Sequence, residues 1–415
     1  MKPLEGTHVL DFTQVLAGPL CTQYLGDLGA EIIKVEPVGK GDDTRQWPPF
    51  REGFGAVFLN VNRNKRSLAL DLKNPESRPI VKSLVEKTDV VIESFAGGVT
   101  ERLGIDYETL RSINPKIIYC SVSGYGRSGP MKDARGYDLI LQAYSGILSM
   151  TGHPGSGPTR VPLSPIDQGT GMHALSGILA ALINRSKTGK GCFLEVSLFE
   201  TAVGFLGFNL ESYWARGQLP AKSGSGHESL CPYQVFQASD DLVLLGIANN
   251  NHWERFCKLV GREDLLADPR FATNADRVAH FEVTIEIVQD IMATRTRSEW
   301  LVLLQKIGVP CSPVNTIADV MNEPQTKARG IIVDYDHPQL GCHKAIAHPV
   351  QFENVTRKVR LPPPRLGQHT AEILREAGLS ETDIGRLRET RTIETADTKK
   401  IQQGSGSALF GMDPA

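Results

Sequence analysis

Apolar residues near the start of the chain form two short runs on either side of a segment with helical spacing. The runs predict strands at Thr7–Phe12 and Ala30–Glu36, and apolar residues three and four apart predict a helix at Leu20–Leu28. A strand, a helix and a second strand within about thirty residues form a βαβ unit, which requires parallel strands. The chain therefore begins as an α/β protein built on a parallel sheet.

This alternation continues to about residue 210, which predicts a large domain over residues 1–210. Its further strands and helices are predicted at Ser67–Leu72, Asn74–Lys87, Asp89–Ile92, Leu139–Leu148, Thr170–Lys187, Cys192–Val196 and Leu198–Trp214.

The pattern changes at residues 217–232, which are rich in Gly, Ser, Lys and Pro and indicate a linker. A hairpin and three helices after it predict a smaller α+β domain over residues 211–329. Two strands and a helix return the chain to the large domain over residues 330–390. Residues 391–415 are predicted to be a disordered tail.

Charge and composition narrow the range of partners. The net charge is -2 with Lys and Arg scattered, which gives no electrostatic footprint for nucleic acid or a membrane surface. Seven separated cysteines and ten histidines without metal spacing predict neither a disulfide framework nor a metal site. No apolar run reaches the ~20 residues that span a bilayer. We expect a cytoplasmic protein, or one of the mitochondrial matrix if a presequence has been removed.

One acidic residue, Asp167, lies just before the long apolar helix predicted at Thr170–Lys187. The positive field of a helix N-terminus favours a charged carboxylate, and such a group can act as a nucleophile. Gly169 and Gly171 predict room for a ligand close to the backbone. The alternative is that Asp167 only caps the helix, since Asp is a preferred cap.

Two other stretches carry candidate chemistry. Asn62-Arg-Asn-Lys-Arg66 gives three cations within four residues, which either bind phosphates or carboxylates or form a solvated patch. Gly124–Gly129 matches the G-x-G-x-x-G pattern, but a loop follows it instead of a helix, which favours a glycine-rich active-site turn over a dinucleotide site. The sequence has no G-x-S-x-G nucleophile elbow.

Ordered motifs over residues 3–385 resemble the class III CoA-transferases, the family that includes formyl-CoA transferase and carnitine CoA-transferase. The motifs are Leu10–Pro19, Leu25–Glu36, Asn62–Ser67, Leu70–Leu72, Asp89–Phe95, Gly124–Gly126, Gly129-Pro130, Gly136–Asp138, Asp167–Gly171 and Thr188–Gly191. The resemblance implies a large Rossmann-like domain whose parallel sheet is formed by both chain ends, and a smaller α+β domain. It also implies that two ring-like subunits interlock as a homodimer.

The resemblance implies roles for single residues. Asp167 corresponds to the family's nucleophile, which attacks the acyl-CoA thioester and passes through mixed anhydrides and an aspartyl-CoA thioester. Asp138 and Gln14 fall beside the reacting group as further catalytic candidates. Coenzyme A is implied as a substrate, with no tightly bound cofactor. The positions implied to bind it are Val15, Ala17, Leu70, Lys73, Ser94, Phe95, Arg102 and Arg135.

Departures from formyl-CoA transferase indicate a different acceptor. Leu16 replaces a polar partner of the acyl group, and the tetraglycine flap has no counterpart near Ser223–Glu228, which disfavours formyl or oxalyl chemistry. Gly41–Arg45 and Pro362–Thr370 are more similar to the succinyl-CoA:glutarate CoA-transferases. We therefore predict transfer of CoA from succinyl-CoA to a dicarboxylate.

A dicarboxylate acceptor needs a cation for its distal carboxylate. Arg63 and Arg277 are the candidates, since a guanidinium can bind a carboxylate through two parallel hydrogen bonds. The alternative for each is an ordinary surface arginine.

Three other functions remain as alternatives. A 2-methylacyl-CoA racemase of the same fold uses a His where this chain has Tyr137, and a phenol with its ordinary pKa near ~10 is a poor base at neutral pH. A non-catalytic CoA-binding protein would bind CoA without exchange. A dehydrogenase built on Gly124–Gly129 is the third.

Overall fold

The computed structural model describes residues 2–396. Its strands are β1 His8–Phe12, β2 Glu31–Glu36, β3 Phe50–Arg51, β4 Phe54–Gly55, β5 Lys65–Leu70, β6 Val90–Glu93, β7 Ile118–Ser123, β8 Cys192–Ser197, β9 Tyr233–Gln237, β10 Leu242–Gly246, β11 Cys311–Pro313, β12 Ile332–His337, β13 Gly341–Ile346 and β14 Ile393–Glu394.

Its helices follow the same chain order, with one 3-10 turn at Asp43–Gln46. They are α1 Ala17–Asp27, α2 Ala56–Val61, α3 Ser77–Val85, α4 Val99–Leu103, α5 Tyr107–Ile113, α6 Asp138–Tyr144, α7 Ile147–Met150, α8 Pro165–Thr188, α9 Leu198–Leu206, α10 Phe208–Arg216, α11 Asn250–Val260, α12 Asp264–Ala267, α13 Asn274–Ala279, α14 Phe281–Met292, α15 Arg297–Lys306, α16 Ile317–Asn322, α17 Pro324–Ala328, α18 Thr370–Glu376 and α19 Glu381–Glu389. No helix within residues 2–396 is long and apolar enough to cross a membrane.

The described residues form two compact units. Unit 1 comprises residues 2–145, 162–207 and 330–396, and unit 2 comprises 146–161 and 208–329. Residues 146–161 were predicted within the large domain. They belong to unit 2 because their backbone is bonded there: the Gly152 carbonyl accepts from the Gly224 N–H at 2.9 Å, and the Ser156 carbonyl accepts from the Lys222 ammonium at 2.8 Å.

Unit 1 is organised around a seven-stranded sheet in the order β14-β5-β2-β1-β6-β7-β8. Every neighbouring pair is parallel except β14 with β5. The chain builds outward from β1 to β2 and β5 on one side, then to β6, β7 and β8 on the other. The order therefore reverses between β1 and β6, and the carboxyl ends of strands at such a reversal are where open α/β sheets bind ligands.

The central strands are buried on both faces, as expected for parallel strands covered by helices. In β1 only His8 is exposed, and all four residues of β6 are buried. Leu10, Val91 and Tyr119 from three adjacent strands belong to one apolar core with residues of α3, α5, α18 and α19. The last described segment thus contributes to the core of unit 1.

Unit 2 contains a three-stranded sheet in the order β11-β10-β9, with antiparallel pairing throughout. Its core includes Trp253, Trp300 and Phe256, all of which are almost fully buried. The indole N–H of Trp300 donates to the Met292 carbonyl at 2.7 Å. This arrangement satisfies the polar atom of a large buried side chain.

Several predicted boundaries were wrong for identifiable reasons. Helix α1 begins at Ala17, ahead of the predicted start, because Pro19 lies in the first turn, where its missing N–H has no helical partner to lose. The long helix predicted from Leu198 to Trp214 is two helices, since Gly207 adopts a φ of 47° between them.

The predicted disordered tail also needs correction. Ile393 is buried and pairs with Leu70, so residues 391–396 continue the fold. The rest of that prediction, residues 397–415, lies outside the described residues.

Candidate active site

A cavity of about 350 Å³ lies at the carboxyl ends of β1, β6 and β7 in unit 1. Its walls come from Phe12 and the loop that follows β1, from the Ser94–Gly97 loop after β6, and from Ser123 and Gly124 at the end of β7. This position is the reversal point of the sheet, where the loops after neighbouring strands diverge and leave a crevice.

The structure brings seven of the predicted site residues to this cavity: Gln14, Val15, Ala17, Ser94, Phe95, Arg135 and Asp167. It does not bring Leu70, Lys73 and Arg102 to its walls. Leu70 is 1% exposed in the unit 1 core. Lys73 and Arg102 are exposed, on the turn after β5 and on α4.

Asp167 lies in the first turn of α8 and is partly buried. The helix begins earlier than predicted, with Ser164 as its N-cap in a left-handed conformation, φ 48°. The interpretation of Asp167 as a simple N-cap was therefore wrong. Its carboxyl contributes to the cavity wall instead.

Asp138 binds the beginning of α8 from a neighbouring helix. One carboxylate oxygen accepts from the backbone N–H of Ile166 at 2.9 Å and of Asp167 at 3.2 Å, and the other accepts from the Gln142 side chain. These N–H groups would otherwise lack a helical partner. Asp138 is 7% exposed and does not contribute to the cavity wall. It therefore positions α8 and occupies the anion-binding end of the helix.

The carboxyl of Asp167 is easier to protonate than an ordinary one. Burial, followed by the negative charge of Asp138, raises its pKa from 3.8 to about 7. The raised pKa is opposite to the expectation from sequence that the helix field favours the charged form of Asp167. The backbone N–H groups of Ile166 and Asp167 at the start of the helix donate to Asp138.

The two glycines after Asp167 serve packing between helices, which corrects the prediction that they make room for a ligand. A Cβ atom on Gly171 would lie 2.6 Å from the Ala17 carbonyl oxygen of α1. A Cβ on Gly169 would lie 2.2 Å from the ring of Phe205 in α9. Both glycines are buried, and α8 packs directly on α1.

Glu93 and Arg127 hold the Ser94–Phe95 wall. Glu93 accepts from the Phe95 N–H at 2.8 Å and pairs with Arg127 at 2.9 Å, while Arg127 donates to the Phe95 carbonyl at 2.8 Å. Arg127 is not among the site residues predicted from sequence, although its position within the glycine-rich turn after β7 is a usable signal.

A further pair of glycines, Gly124 and Gly136, lines the same cavity. Gly124 and Gly136 cross so closely that a Cβ on either would lie 2.7 Å from the backbone of the other. The prediction of a glycine-rich turn at the site fits this geometry, since Gly124 contributes to the cavity wall.

The exposed cations of the cavity are Lys132 and Arg135, which follow this turn. Arg135 was a predicted CoA-binding residue, and Lys132 was missed. Tyr137, 48% exposed, also lines the cavity, whereas no histidine lies among its described lining residues.

The two arginines predicted to bind the acceptor are used within the fold. Arg63, 5% exposed, forms two hydrogen bonds with Asp27, at 3.0 and 2.6 Å. Arg277 is fully buried in unit 2 and donates to the carbonyls of Cys231 and Phe271. Neither guanidinium contributes to the cavity around Asp167, so their predicted role is corrected to a structural one.

The basic run Asn62–Arg66 is likewise structural. Lys65 is fully buried and donates to Asp11 at 3.1 Å and to the Pro19 carbonyl at 2.8 Å. Arg66 pairs with two glutamates of α18. Among the described residues, no group of three or more His, Cys, Asp or Glu side chains is arranged to hold a metal ion.

Comparison with known proteins identifies the family. The model of CoA-transferase family III matches residues 4–370. The chain is 39% identical over 402 residues to the succinyl-CoA:glutarate CoA-transferase of Mus musculus, covering 96% of this chain and 92% of that one. It is 40% identical over 332 residues to the acetyl-CoA:oxalate CoA-transferase of Acetobacter aceti, covering 80% of this chain and 85% of that one.

A solved structure has the same fold. It is a CAIB/BAIF family protein from Brucella suis, with a TM-score of 0.79 and 38% identity, and the match covers 91% of this chain and 99% of that one. The chain therefore belongs to CoA-transferase family III.

Proposed function

We propose that this protein transfers CoA from succinyl-CoA to a dicarboxylic acid, with Asp167 as the covalent nucleophile. The observation that carries the proposal is the placement of the Asp167 carboxyl in the wall of the 350 Å³ cavity, together with membership of the family. A carboxylate at a ligand-sized cavity and a family defined by acyl-CoA exchange support the same chemistry.

The first half of the reaction loads CoA onto the protein. The Asp167 carboxylate attacks the thioester carbonyl of succinyl-CoA, a C–O bond forms and the C–S bond breaks, releasing CoA thiolate. The thiolate then attacks the Asp167 carbonyl of this mixed anhydride and expels succinate. The product is an aspartyl-CoA thioester, which preserves the energy of the thioester bond.

The second half repeats these steps with the acceptor. Its carboxylate attacks the aspartyl thioester and releases CoA thiolate, giving a second anhydride. The thiolate attacks the acceptor carbonyl and frees the Asp167 carboxylate. No net proton is exchanged, so the site needs a carboxylate nucleophile and exclusion of water rather than an acid–base pair.

Other residues of the cavity have supporting roles in this proposal. Lys132 and Arg135 meet the phosphates of CoA, because cations that donate hydrogen bonds are suited to phosphate oxygens. Gln14 lines the cavity, and its backbone N–H donates to the Ser94 hydroxyl at 3.3 Å. We propose that its side-chain amide contacts the acyl group. Asp138 acts as a positioning residue through α8.

A dicarboxylate acceptor is supported by the names of relatives. The relative from Mus musculus acts on glutarate and that from Acetobacter aceti on oxalate, both dicarboxylates, while their donors differ. The oxalate relative weakens the argument from sequence departures against oxalyl chemistry, so oxalate belongs among the acceptors to test.

The racemase alternative has less support. Racemisation needs two proton-transfer groups at the α-carbon, one of which is a His in the racemases of this fold, and no histidine occurs among the described residues lining the cavity.

The test is mass spectrometry of CoA esters. The protein is incubated with succinyl-CoA and each of glutarate, malate, itaconate, citramalate and oxalate, in heavy water. We expect a new CoA ester with at least one acid, and loss of that ester in Asp167→Asn. Asp133→Asn is the matched control, since Asp133 is an exposed carboxylate of the same cavity.

The outcomes separate the alternatives. Loss of transfer in both variants would indicate a general effect of charge in the cavity and contradict the role of Asp167. An unchanged CoA pool with every acid would reject the transferase reaction for these substrates. Deuterium at the α-carbon of an added 2-methylacyl-CoA, without new esters, would establish the racemase.

We also propose an interlocked homodimer in the cytoplasm. Large apolar side chains that are exposed in unit 1, such as Ile183, Phe193 and Phe205, support a surface that a second copy covers. Dispersed cysteines support a reducing compartment. Light scattering of the purified protein and fractionation of cells test the two proposals separately.

A further inference from the structure

Val15, in the wall of the active-site cavity, has an unusual backbone conformation. Its φ is 72°, in the left-handed region that β-branched residues rarely adopt. Such strain persists only where the surrounding structure enforces it, and it concentrates at functional sites.

Each backbone position around Val15 is held by a polar group. The Thr13 carbonyl accepts from the Lys34 ammonium at 2.8 Å, and the Gln14 N–H donates to Ser94. The Val15 N–H donates to a carboxylate oxygen of Asp42 at 3.3 Å. The loop after β1 is therefore bonded residue by residue to groups on β2, in the loop after β6 and in the turn at 42–45.

Asp42 is the centre of this arrangement. It is fully buried, pairs with Lys34 at 2.9 Å and accepts from the backbone N–H and the hydroxyl of Thr44 at 2.9 and 2.7 Å. Lys34 is also fully buried. The next residues of this turn continue the connection, since Arg45 forms two hydrogen bonds with Glu36, at 2.7 and 2.8 Å.

The turn at Val15 also determines where α1 begins. Two residues later, Ala17 opens the helix, and its carbonyl oxygen lies against Gly171 of α8. Gly171 is one helical turn after Asp167. The same short loop thus forms one wall of the cavity and sets the contact that positions the helix of the nucleophile.

We propose that Asp42 is a positioning residue for the active site, which holds Val15 in its strained conformation and thereby fixes the part of the cavity wall that the loop after β1 forms. Asp42, which does not line the cavity, then acts through the loop after β1 without contacting the substrate. This inference rests on the proposed function, because its consequence is a change in transfer rate.

The test introduces Asp42→Asn into three backgrounds, which carry Val, Ala or Gly at position 15, and compares its effect in each as a double-mutant cycle. The Asn amide keeps the size of Asp but turns donors toward the Lys34 ammonium, which weakens the support of Val15. We expect kcat/KM for succinyl-CoA to fall about tenfold with the wild-type Val15 and in the Val15→Ala background, where the strain remains. In the Val15→Gly background the fall should be about threefold or less, since Gly adopts this φ without strain.

Two comparisons make the cycle specific. Val15→Ala and Val15→Gly both shorten the side chain, so a difference between them isolates the backbone. Asp27→Asn removes a buried partner of Arg63 away from the cavity, and we expect it to lower stability while kcat/KM stays within about twofold. An equal loss in all three backgrounds, or an equal loss in Asp27→Asn, would overturn the proposal.

Hydrogen exchange separates this proposal from the proposed function. Amide exchange of a peptide spanning residues 13–16 should accelerate in Asp42→Asn but not in Asp27→Asn. If the wild-type protein transfers no CoA, the proposed function fails while exchange still decides whether Asp42 holds Val15. Unchanged exchange rejects the positioning role.

Discussion

Replacing Asp167 with Asn should stabilise the protein at alkaline pH, although it removes the proposed nucleophile. The raised pKa means that the folded state resists ionisation of this carboxyl, mainly because of burial and secondly because of Asp138. An Asn side chain keeps the shape and is neutral at every pH. The substitution therefore removes a cost that the wild-type protein carries only when Asp167 is ionised.

The size and sign of this effect follow from the two pKa values. Below pH 3.8 the Asp167 carboxyl is protonated in both states, and it adds no pH dependence. Between 3.8 and about 7 the unfolded chain releases the proton while the folded chain keeps it, so stability falls as pH rises. Above about 7 the cost is constant, at about 4 kcal/mol as an upper value.

Calorimetry at pH 5 and pH 8 tests this expectation. The advantage of Asp167→Asn over wild type should be larger at pH 8 than at pH 5 by about 2–3 kcal/mol, because the cost at pH 5 is only partly developed. Asp133→Asn, at an exposed carboxylate, should show no such pH dependence. An advantage that is equal at both pH values, or larger at pH 5, would refute the reasoning.

Three further predictions concern the same elements. The rate of covalent loading by succinyl-CoA should rise with pH and level off above about 7, the pKa of Asp167. Asp138→Asn should move the midpoint of this pH profile to lower pH, but not as far as 3.8, because the burial of Asp167 remains. Stopped-flow measurement of CoA release follows this. Gly171→Ala should lower the unfolding temperature and slow transfer, because its Cβ would lie 2.6 Å from the backbone of α1. Gly204→Ala is the control: its Cβ would have no heavy atom of a neighbouring segment within 4 Å, and it should stabilise the protein by ~0.5–1 kcal/mol. Arg277→Met should reduce the unfolding free energy of unit 2 by about 3 kcal/mol or more, since it leaves buried carbonyls unpaired. If Arg277→Met instead raises the KM for the dicarboxylate without loss of stability, the predicted role of Arg277 in binding the acceptor would be restored.

The sequence predicted the elements whose signals are local. The βαβ start, the strands of the parallel sheet and the helix after Asp167 all show apolar periodicity, and the structure contains each of them within a few residues. Ordered motifs were sufficient to indicate the family, which the comparisons confirm. Asp167 was a candidate from sequence because of its motif and its place near the start of a helix, and in the structure it lies in the first turn of α8 and lines the cavity.

Contacts between distant segments could not be read in this way. The cap on α8 comes from Asp138, and the partners of Arg63 and Arg277 lie 36 and 46 residues away in the sequence. A run of cations has the same composition whether it faces solvent or the core, so the sequence left Asn62–Arg66 open between a binding patch and a solvated patch, whereas the structure uses it within the fold. The glycines after Asp167 were misread for the same reason, since a glycine that admits a ligand and one that admits a neighbouring helix are identical in sequence.

The raised pKa of Asp167 also predicts which covalent intermediate accumulates. In the first mixed anhydride of the proposed reaction, the CoA thiolate can attack either carbonyl, and the weaker base is the better leaving group. Ordinary carboxylic acids titrate near ~4, whereas the pKa of Asp167 is about 7, so succinate leaves more readily than Asp167 and attack at the Asp167 carbonyl is favoured. The second anhydride must expel Asp167, the poorer leaving group, so the protein should rest as the aspartyl-CoA thioester.

Intact mass after mixing with succinyl-CoA and no acceptor distinguishes the two adducts. We expect a gain of CoA less one water at Asp167, rather than the gain of a succinyl group, and a smaller share of this adduct in Asp138→Asn, where the two leaving groups become more alike. A dominant succinyl adduct would show that the thiolate attacks the substrate carbonyl. The basicity of Asp167 would then not direct the reaction.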